Sequence, residues 1–397
     1  MTVSYWRRHA DKPTKIEADL CVIGAGVAGV SAALEGEARG LKVVLLERHA
    51  LASGASSRNA GFLMRGCADH YADAIRVYGH ERARALWAWT EDNLRLLRAL
   101  GIESLASYRR VPSALLALNA AQEAELHESS VLLARDGFRV GWKTAAEVPE
   151  SQRDLAWAGG RIRAALYNPD DASVNPVELM RMLARGLKSP IHDHQEVFGI
   201  DASSDRAVEV LTGNMRVQAA RVLVCTNAYA GLLSAELGRL VTPRRGQMMA
   251  LSIPGARLDA SYYANHGSEY FRQTSEGQVV LGGCRTYFAE HETGYEDRTT
   301  ERVQSALERF AGEVLGLDKR RDWTITARWS GTMGFSPDGL PLVGPVRDLD
   351  ARGRVHFCGG FTGHGMSLGA KTARHAVERM LEGGESLFGM ERVGSER

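Results

Sequence analysis

Residues 18–29 read Ala18-Asp19-Leu20-Cys21-Val22-Ile23-Gly24-Ala25-Gly26-Val27-Ala28-Gly29, a short apolar run that stops on a glycine-dense turn. A run of this kind, bounded by glycine, suits a strand buried on both faces of a parallel sheet. Val27, Val30, Ala33 and Leu34 continue at helical spacing, and Gly40 closes the helix. Leu41-Lys42-Val43-Val44-Leu45-Leu46 supplies the next strand, which ends on Glu47. Strand, GxGxxG turn, helix, strand and acid in this order predict a βαβ unit that binds a dinucleotide. Gly24 permits the tight turn, Gly26 lets a pyrophosphate approach the backbone, and Gly29 lets helix and strand pack closely. The helix N-terminus offers unpaired N–H groups and partial positive charge to the phosphates. Ala25, Val27 and Ala28 complete that cradle. Glu47, followed by Arg48, would accept hydrogen bonds from a ribose and repel a 2′-phosphate, which favours FAD or NAD over NADP.

Around this unit the 397-residue chain has an ordinary globular composition, with 44% hydrophobic and 24% charged residues. Its 49 Lys and Arg against 48 Asp and Glu exclude nucleic-acid binding driven by bulk charge. Five dispersed cysteines, with no CxxC pair, read as reduced thiols, not a disulfide frame or a metal site. No stretch approaches the roughly 20 apolar residues of a membrane span, and MTVSYWRRHADKPTK at the start has no signal-peptide core. A cytoplasmic location is expected, and oligomeric state leaves no trace.

The remaining glycines concentrate at 54–61, 331–344 and 359–369. Ser53-Gly54-Ala55-Ser56-Ser57-Arg58-Asn59-Ala60-Gly61 follows the second strand closely, with small residues that leave backbone open and a fixed cation in Arg58. Far along the chain, the strand Arg354-Val355-His356-Phe357-Cys358 runs into Gly359-Gly360-Phe361-Thr362-Gly363-His364-Gly365-Met366-Ser367 and then a helix. This is a second strand–turn–helix. A nicotinamide dinucleotide needs only one such helix start, whereas the longer FAD needs another site for its isoalloxazine. A helix N-terminus aimed at the N1–C2=O edge would stabilise the reduced anionic ring.

Together these segments resemble the FAD-dependent D-amino-acid oxidase superfamily. Ser336-Pro337-Asp338-Gly339-Leu340-Pro341 and Thr226-Asn227-Ala228-Tyr229 agree with the resemblance. Ser4-Tyr5-Trp6, Pro243-Arg244-Arg245-Gly246-Gln247 and Tyr270-Phe271-Arg272-Gln273 look closest to the gamma-glutamylputrescine oxidoreductase branch, near the glycine and sarcosine oxidases. The resemblance implies a glutathione-reductase-type FAD-binding Rossmann domain interleaved with an α+β substrate domain containing an antiparallel sheet. By position, Gly24 to Gly29, Glu47 and Arg48 would hold pyrophosphate and ribose, and Val197 would meet adenine through its backbone. Ala55, Ser56, Ser57, Arg58, Asn59, Ala60 and Gly61 would line pyrophosphate and flavin. Thr226, Asn227 and Ala228 would lie near the dinucleotide. Gly363, His364, Gly365, Met366 and Ser367 would contact the pyrimidine edge of the isoalloxazine, and Gly334, Gly360 and Thr362 would also bind the cofactor.

Helices are expected over 81–100, stopped by Gly101, over 119–135, from the Asn175 cap and Pro176 to about Leu187, and over 299–316. Trp87 and Trp89 read as core. The segments 269–273 and 277–283 form an antiparallel hairpin. The expected FAD-binding domain comprises 1–80, 150–238 and 332–397, and the substrate domain 81–149 and 239–331.

The implied chemistry is FAD-dependent oxidation of an amine or amino acid by hydride transfer to flavin N5, giving an imine that hydrolyses, with peroxide if oxygen is the acceptor. The cofactor performs the hard step, so no general base is nominated, and no metal is called for. Candidate substrate contacts are His364, inside the flavin-facing turn or capping its helix, Arg65, as a carboxylate holder or a surface arginine, and Tyr270 and Arg272 on one strand face. Arg244 and Arg245 are either solvated or, if the substrate were a hydroxy acid or glycerol phosphate, phosphate holders. A third reading is a flavin-carrying protein without turnover. Met333 stands where some relatives place a carboxylate-binding arginine. Gly331-Thr332-Met333-Gly334 lacks the cysteine that other relatives link to flavin, so the FAD is expected to be non-covalent.

Overall fold

The computed structural model describes residues 13–67, 70–318 and 322–394, so Ser4-Tyr5-Trp6 lies outside the described residues. The chain opens with β1 (Thr14–Ile23), α1 (Val27–Ala38) and β2 (Val43–Leu46). Helices α2 (Tyr71–Tyr78) and α3 (His80–Ala99) lead to β3 (Ser113–Ala117), α4 (Ala120–Arg135), β4 (Gly141–Thr144) and β5 (Ala164–Asn168). Next come α5 (Pro176–Arg185), β6 (Val197–Asp201), β7 (Val208–Thr212) and β8 (Met215–Val224). Strands β9 (Thr242–Ser252), β10 (Ser261–Ala264), β11 (Glu269–Gln273) and β12 (Val279–Gly283) precede α6 (Glu301–Leu315). The chain returns through β13 (Thr324–Phe335), β14 (Leu342–Pro345), β15 (Val355–Gly359) and α7 (Gly365–Glu382).

Two large sheets result. The first runs β14-β15-β8-β1-β2 and ends on Ile191–His192, with β7 added antiparallel to β8 and β6 antiparallel to β7. Its centre, β15-β8-β1-β2, is parallel. Alternation along the strands explains why it is covered on both faces. Leu20, Val22, Val43 and Leu45 join the core built with α1 and α7, while Cys21, Ile23, Val44 and Leu46 join a second core with Val222 and Val224. The second sheet runs β13-β9-β12-β11-β10-β3-β5-β4 and is antiparallel except for β10 against β3. Helix α6 packs on it through Val303, Leu307 and Phe310.

The sheets depart from the expected domain division at two places. Residues 164–168, assigned by sequence to the FAD-binding half, form a strand of the second sheet between β3 and β4. Helix α3, assigned to the substrate half, fastens the start of α7 instead. Asn93 Nδ2 donates to Met366 O at 3.0 Å, Asn93 Oδ1 accepts from Lys371 N at 2.9 Å, and Trp89 Nε1 reaches Thr372 Oγ1 at 3.2 Å. Periodicity reports that α3 has a buried face, not which sheet it buries against.

Asn175 Oδ1 accepts from Val177 N at 2.9 Å and caps α5, with Pro176 in the first turn. Asn175→Ala should cost about 1 kcal/mol, read as a lower urea midpoint with an unchanged slope. Among the described residues no helix is long and apolar enough to cross a membrane.

Candidate active site

The first glycine turn sits at the C-terminal end of β1. Gly24 has φ +101°, and a Cβ there would lie 2.9 Å from Cys225 O. A Cβ on Gly29 would lie 1.7 Å from Gly24 O, so only glycine lets α1 begin this close to the strand. Glu47 Oε2 accepts from Ala25 N at 2.8 Å, and Ser56 Oγ accepts from Val27 N at 2.9 Å, which brings the acid and the 53–61 loop onto the helix start. Arg48 lies 4.3 Å over the Tyr229 ring and 3.8 Å from Glu196. Gln195 N donates to Glu47 O at 2.8 Å, which carries Val197, at the start of β6, to the same side.

The second turn is held from two directions. Thr362 N donates to Gly334 O at 2.9 Å, and Asn227 Oδ1 accepts from Gly360 N at 2.9 Å. Gly360, Thr362 and Gly363 all have positive φ, the last at +88°. Thr226, Ala228 and Gly334 lie at this junction: a Cβ on Gly334 would meet Asn227 Oδ1 at 2.7 Å and Ala228 N at 2.9 Å. Asn227 and Gly334 therefore shape the turn.

Beside the second turn and the 53–61 loop lies a cavity of about 230 Å³. Its walls include Ala55, Arg58, Asn59 and Ala60 from the loop, Thr362 to His364, Met366 and Ser367 from the second turn, and Tyr270 and Met333 from the second sheet. Ser57 Oγ, by contrast, donates back to its own loop at Gly54 O, 3.0 Å away, and is not part of the wall. Arg58 is fixed by Ser53 O at 2.8 Å, Ser330 O at 3.0 Å and Asp297 at 2.7 Å. Asn59 Oδ1 accepts from Gly61 N at 2.7 Å. His364 stands at the N-cap position of α7 without a side-chain cap hydrogen bond and lines the cavity, and its Nδ1 donates to Thr362 O at 3.0 Å.

Arg65 is 3% exposed and lines the cavity, so the surface reading does not hold. Nη2 donates to Arg139 O at 2.6 Å and Nε lies 3.3 Å from Glu91, while buried Nη1 has no hydrogen-bond partner among the described residues. Tyr270 faces the cavity and packs with Tyr263 and Phe62. Burial pushes the Tyr270 hydroxyl up to about 12 and that of Tyr263 higher, so both stay protonated at neutral pH.

Arg272 is a correction to the sequence reading. It lies outside the cavity wall, donating to Ala60 O and, at 2.8 Å, to Val174 O, so its guanidinium clamps the loop. Burial, with Arg109 adding repulsion, lowers its guanidinium to about 10. Arg245 is neither solvated nor a phosphate holder: at 2% exposure it pairs with Glu292, 1% exposed, at 2.7 Å. Burial would raise the Glu292 carboxyl, but hydrogen bonds from Arg245, Gln247 and Thr300 outweigh it and hold the carboxyl low.

Trp87, Tyr263, His266, Arg285 and Phe335 also line the cavity and carried no motif. Arg285 lies 4.6 Å over Phe335, and burial, then nearby Arg244, lowers its guanidinium. His70 is held down to about 4 by burial and by His266, and Glu125 beside it is raised to about 7 by burial and Asp73.

A family model described as FAD dependent oxidoreductase (DAO) matches residues 19–379. Glycine oxidase from Pseudomonas aeruginosa is 28% identical over 342 residues, covering 83% of this chain and 86% of its own. Gamma-glutamylputrescine oxidoreductase from Escherichia coli is 24% identical, covering 98% and 90%. The crystal structure of glycine oxidase from Geobacillus kaustophilus superposes with a TM-score of 0.77 at 22% identity, covering 96% and 99%.

The residues present fit FAD. A Cβ at Gly26 would meet Ser56 Oγ at 3.0 Å, so the helix start has room only for a residue without a side chain beside the Ser56 hydroxyl, and buried Thr226 Oγ1 beside the Gly24 turn has no partner among the described residues. The other turn borders a cavity roomy enough for a ring and a small substrate.

Proposed function

This chain belongs to the DAO family of FAD-dependent oxidoreductases, and from that premise we propose that it oxidises an amine or amino acid at the carbon bearing nitrogen, with a substrate carboxylate held by Arg65. The observation that carries this reading is a buried guanidinium, on a residue that lines the cavity bordered by the second glycine turn, whose Nη1 has no hydrogen-bond partner among the described residues. A buried donor of this kind is costly until an acceptor reaches it, and a carboxylate is the acceptor an arginine fork matches best.

When bound, FAD supplies the acceptor for the hydride leaving the C–H next to nitrogen, and passes the electron pair on to oxygen, as peroxide, or to another acceptor. The substrate becomes an imine, which water hydrolyses to a carbonyl compound and an amine or ammonia. The chain's own part is to bind, orient and keep the site dry. Arg65 and Arg285 place positive charge on the cavity walls, which disfavours an ammonium and favours the neutral amine whose lone pair the reaction needs. Phe62, Tyr263 and Tyr270 form an aromatic wall that excludes water. The tyrosines act as hydroxyl donors, not bases, because burial keeps them protonated.

Anaerobic mixing of the holoenzyme with a panel of amines and amino acids tests the reading. Bleaching of the flavin band by amines that carry a carboxylate is expected, with peroxide release scored in air. Bleaching by hydroxy acids or glycerol phosphate alone would overturn it, as would a flavin that no amine reduces. The absence of cysteine from Gly331-Thr332-Met333-Gly334 leads to a further expectation: acid precipitation releases yellow cofactor into the supernatant, and flavin kept in the pellet refutes non-covalent attachment.

A further inference from the structure

Four metal-ligating side chains from separate parts of the chain converge beside the cavity. His70 precedes α2, Asp73 lies in its first turn, Glu125 projects from α4, and His266 sits in the turn between β10 and β11. One ligand atom from each lies within 4.8 Å of all the others. His70 Nδ1 stands 3.0 Å from Glu125 Oε1, and His266 Nδ1 stands 3.4 Å from the same oxygen. The imidazoles lie face to face, with centroids 4.5 Å apart and planes 19° from parallel. A tetrahedral ion with nitrogen and oxygen ligands at about 2.0–2.1 Å sets its ligand atoms roughly 3.3 Å apart, so two of these separations are already near that value.

We propose that His70, Asp73, Glu125 and His266 form a binding site for one divalent transition-metal ion of the zinc class. Two imidazoles and two carboxylates make a mixed N/O set that suits zinc, cobalt or nickel, whereas calcium and magnesium take oxygen alone. Asp73 and Glu125 bring carboxylate oxygens within 4.8 Å of each other, an arrangement that a cation between them would relieve of its like-charge repulsion. Arg76 donates to Asp73 from outside the cluster and fixes its orientation, the kind of outer support that metal ligands use. His70 is buried while His266 is half exposed, so one side of the cluster is anchored and the other opens toward solvent.

The position gives the ion a structural consequence. His70 and His266 both line the cavity. Asn265 and His266 carry positive φ of 48° and 55°, in the turn between β10 and β11, where Asn265 Oδ1 accepts from Gln122 Nε2 of α4 at 3.0 Å. An ion on all four ligands ties that turn to the two helices.

The test uses FAD-loaded full-length protein, freed of any affinity tag and stripped with a chelator, then equilibrated with zinc chloride. Dialysis with metal analysis should find one tight ion per chain. His266→Ala and Glu125→Gln should each weaken binding at least about tenfold. Zinc should raise the melting temperature of the wild type and, at the same concentration, raise that of His266→Ala by clearly less. Equal zinc binding by wild type and His266→Ala, or a melting temperature that responds equally in both, would overturn the site. Neither readout involves turnover, so a failure of the amine-oxidation reading leaves this result intact.

Discussion

Gly29→Ala should bind FAD at least about a hundredfold more weakly than the wild type, equivalent to roughly 3 kcal/mol. The added Cβ would stand 1.7 Å from Gly24 O, a backbone atom that cannot turn aside as a side-chain end would. Relief requires α1 to move off β1. That motion withdraws the helix N-terminus, with Val27 N–H and its Ser56 partner, from where a pyrophosphate must sit. The loss comes through the position of the helix, because Gly29 is where α1 meets the Gly24 turn. Gly213→Ala is the control, since a Cβ there meets nothing within 4 Å. Fluorescence titration of apoprotein with FAD compares them, and near-equal affinities would show that the packing of α1 does not set the site.

The second large effect is expected at Arg65. Arg65→Met should lower kcat/KM for carboxylate-bearing amines by at least about a hundredfold, since removing one partner of a buried charge pair costs about 2–5 kcal/mol. FAD content and the flavin spectrum should stay unchanged, because Arg65 is held by Arg139 O and Glu91, not by either glycine turn. Arg65→Lys should recover only part of the activity, as an ammonium cannot reproduce the planar fork. An amine without a carboxylate should be oxidised equally by wild type and Arg65→Met. An unchanged KM for carboxylate substrates would place the anion elsewhere, with Arg285 the next cation on the wall.

Local signals made the cofactor end legible. The βαβ unit is written in contiguous residues: Gly24 and Gly29 each answer to one close contact, and Glu47 reaches Ala25 N through a strand that ends where its pattern says. The second turn is legible for the same reason, and the parallel centre with a separate, largely antiparallel sheet is the architecture the motifs imply. What stayed hidden depends on partners distant in sequence. Arg272 looks like a cavity residue by strand alternation, yet its acceptors lie 98 and 212 residues away, and burial spends the guanidinium on them. Arg245 sits beside another arginine as a solvated pair would, but Glu292, 47 residues on, buries and neutralises it. Trp87, His266 and Arg285 enter the wall from a helix face, a turn and a short helical turn, none of which has a pattern that separates a cavity from a core. Domain boundaries failed on β5 and α3, since neither strand alternation nor helical periodicity names the layer an element joins.

The most direct test is a crystal structure of the holoenzyme with FAD bound. It should place the pyrophosphate over Gly24 to Gly29, the ribose at Glu47, and the isoalloxazine against Gly363 to Ser367 with Arg65 facing the open side of the ring. An isoalloxazine lying outside this cavity, or an adenylate end away from the first glycine turn, would contradict it.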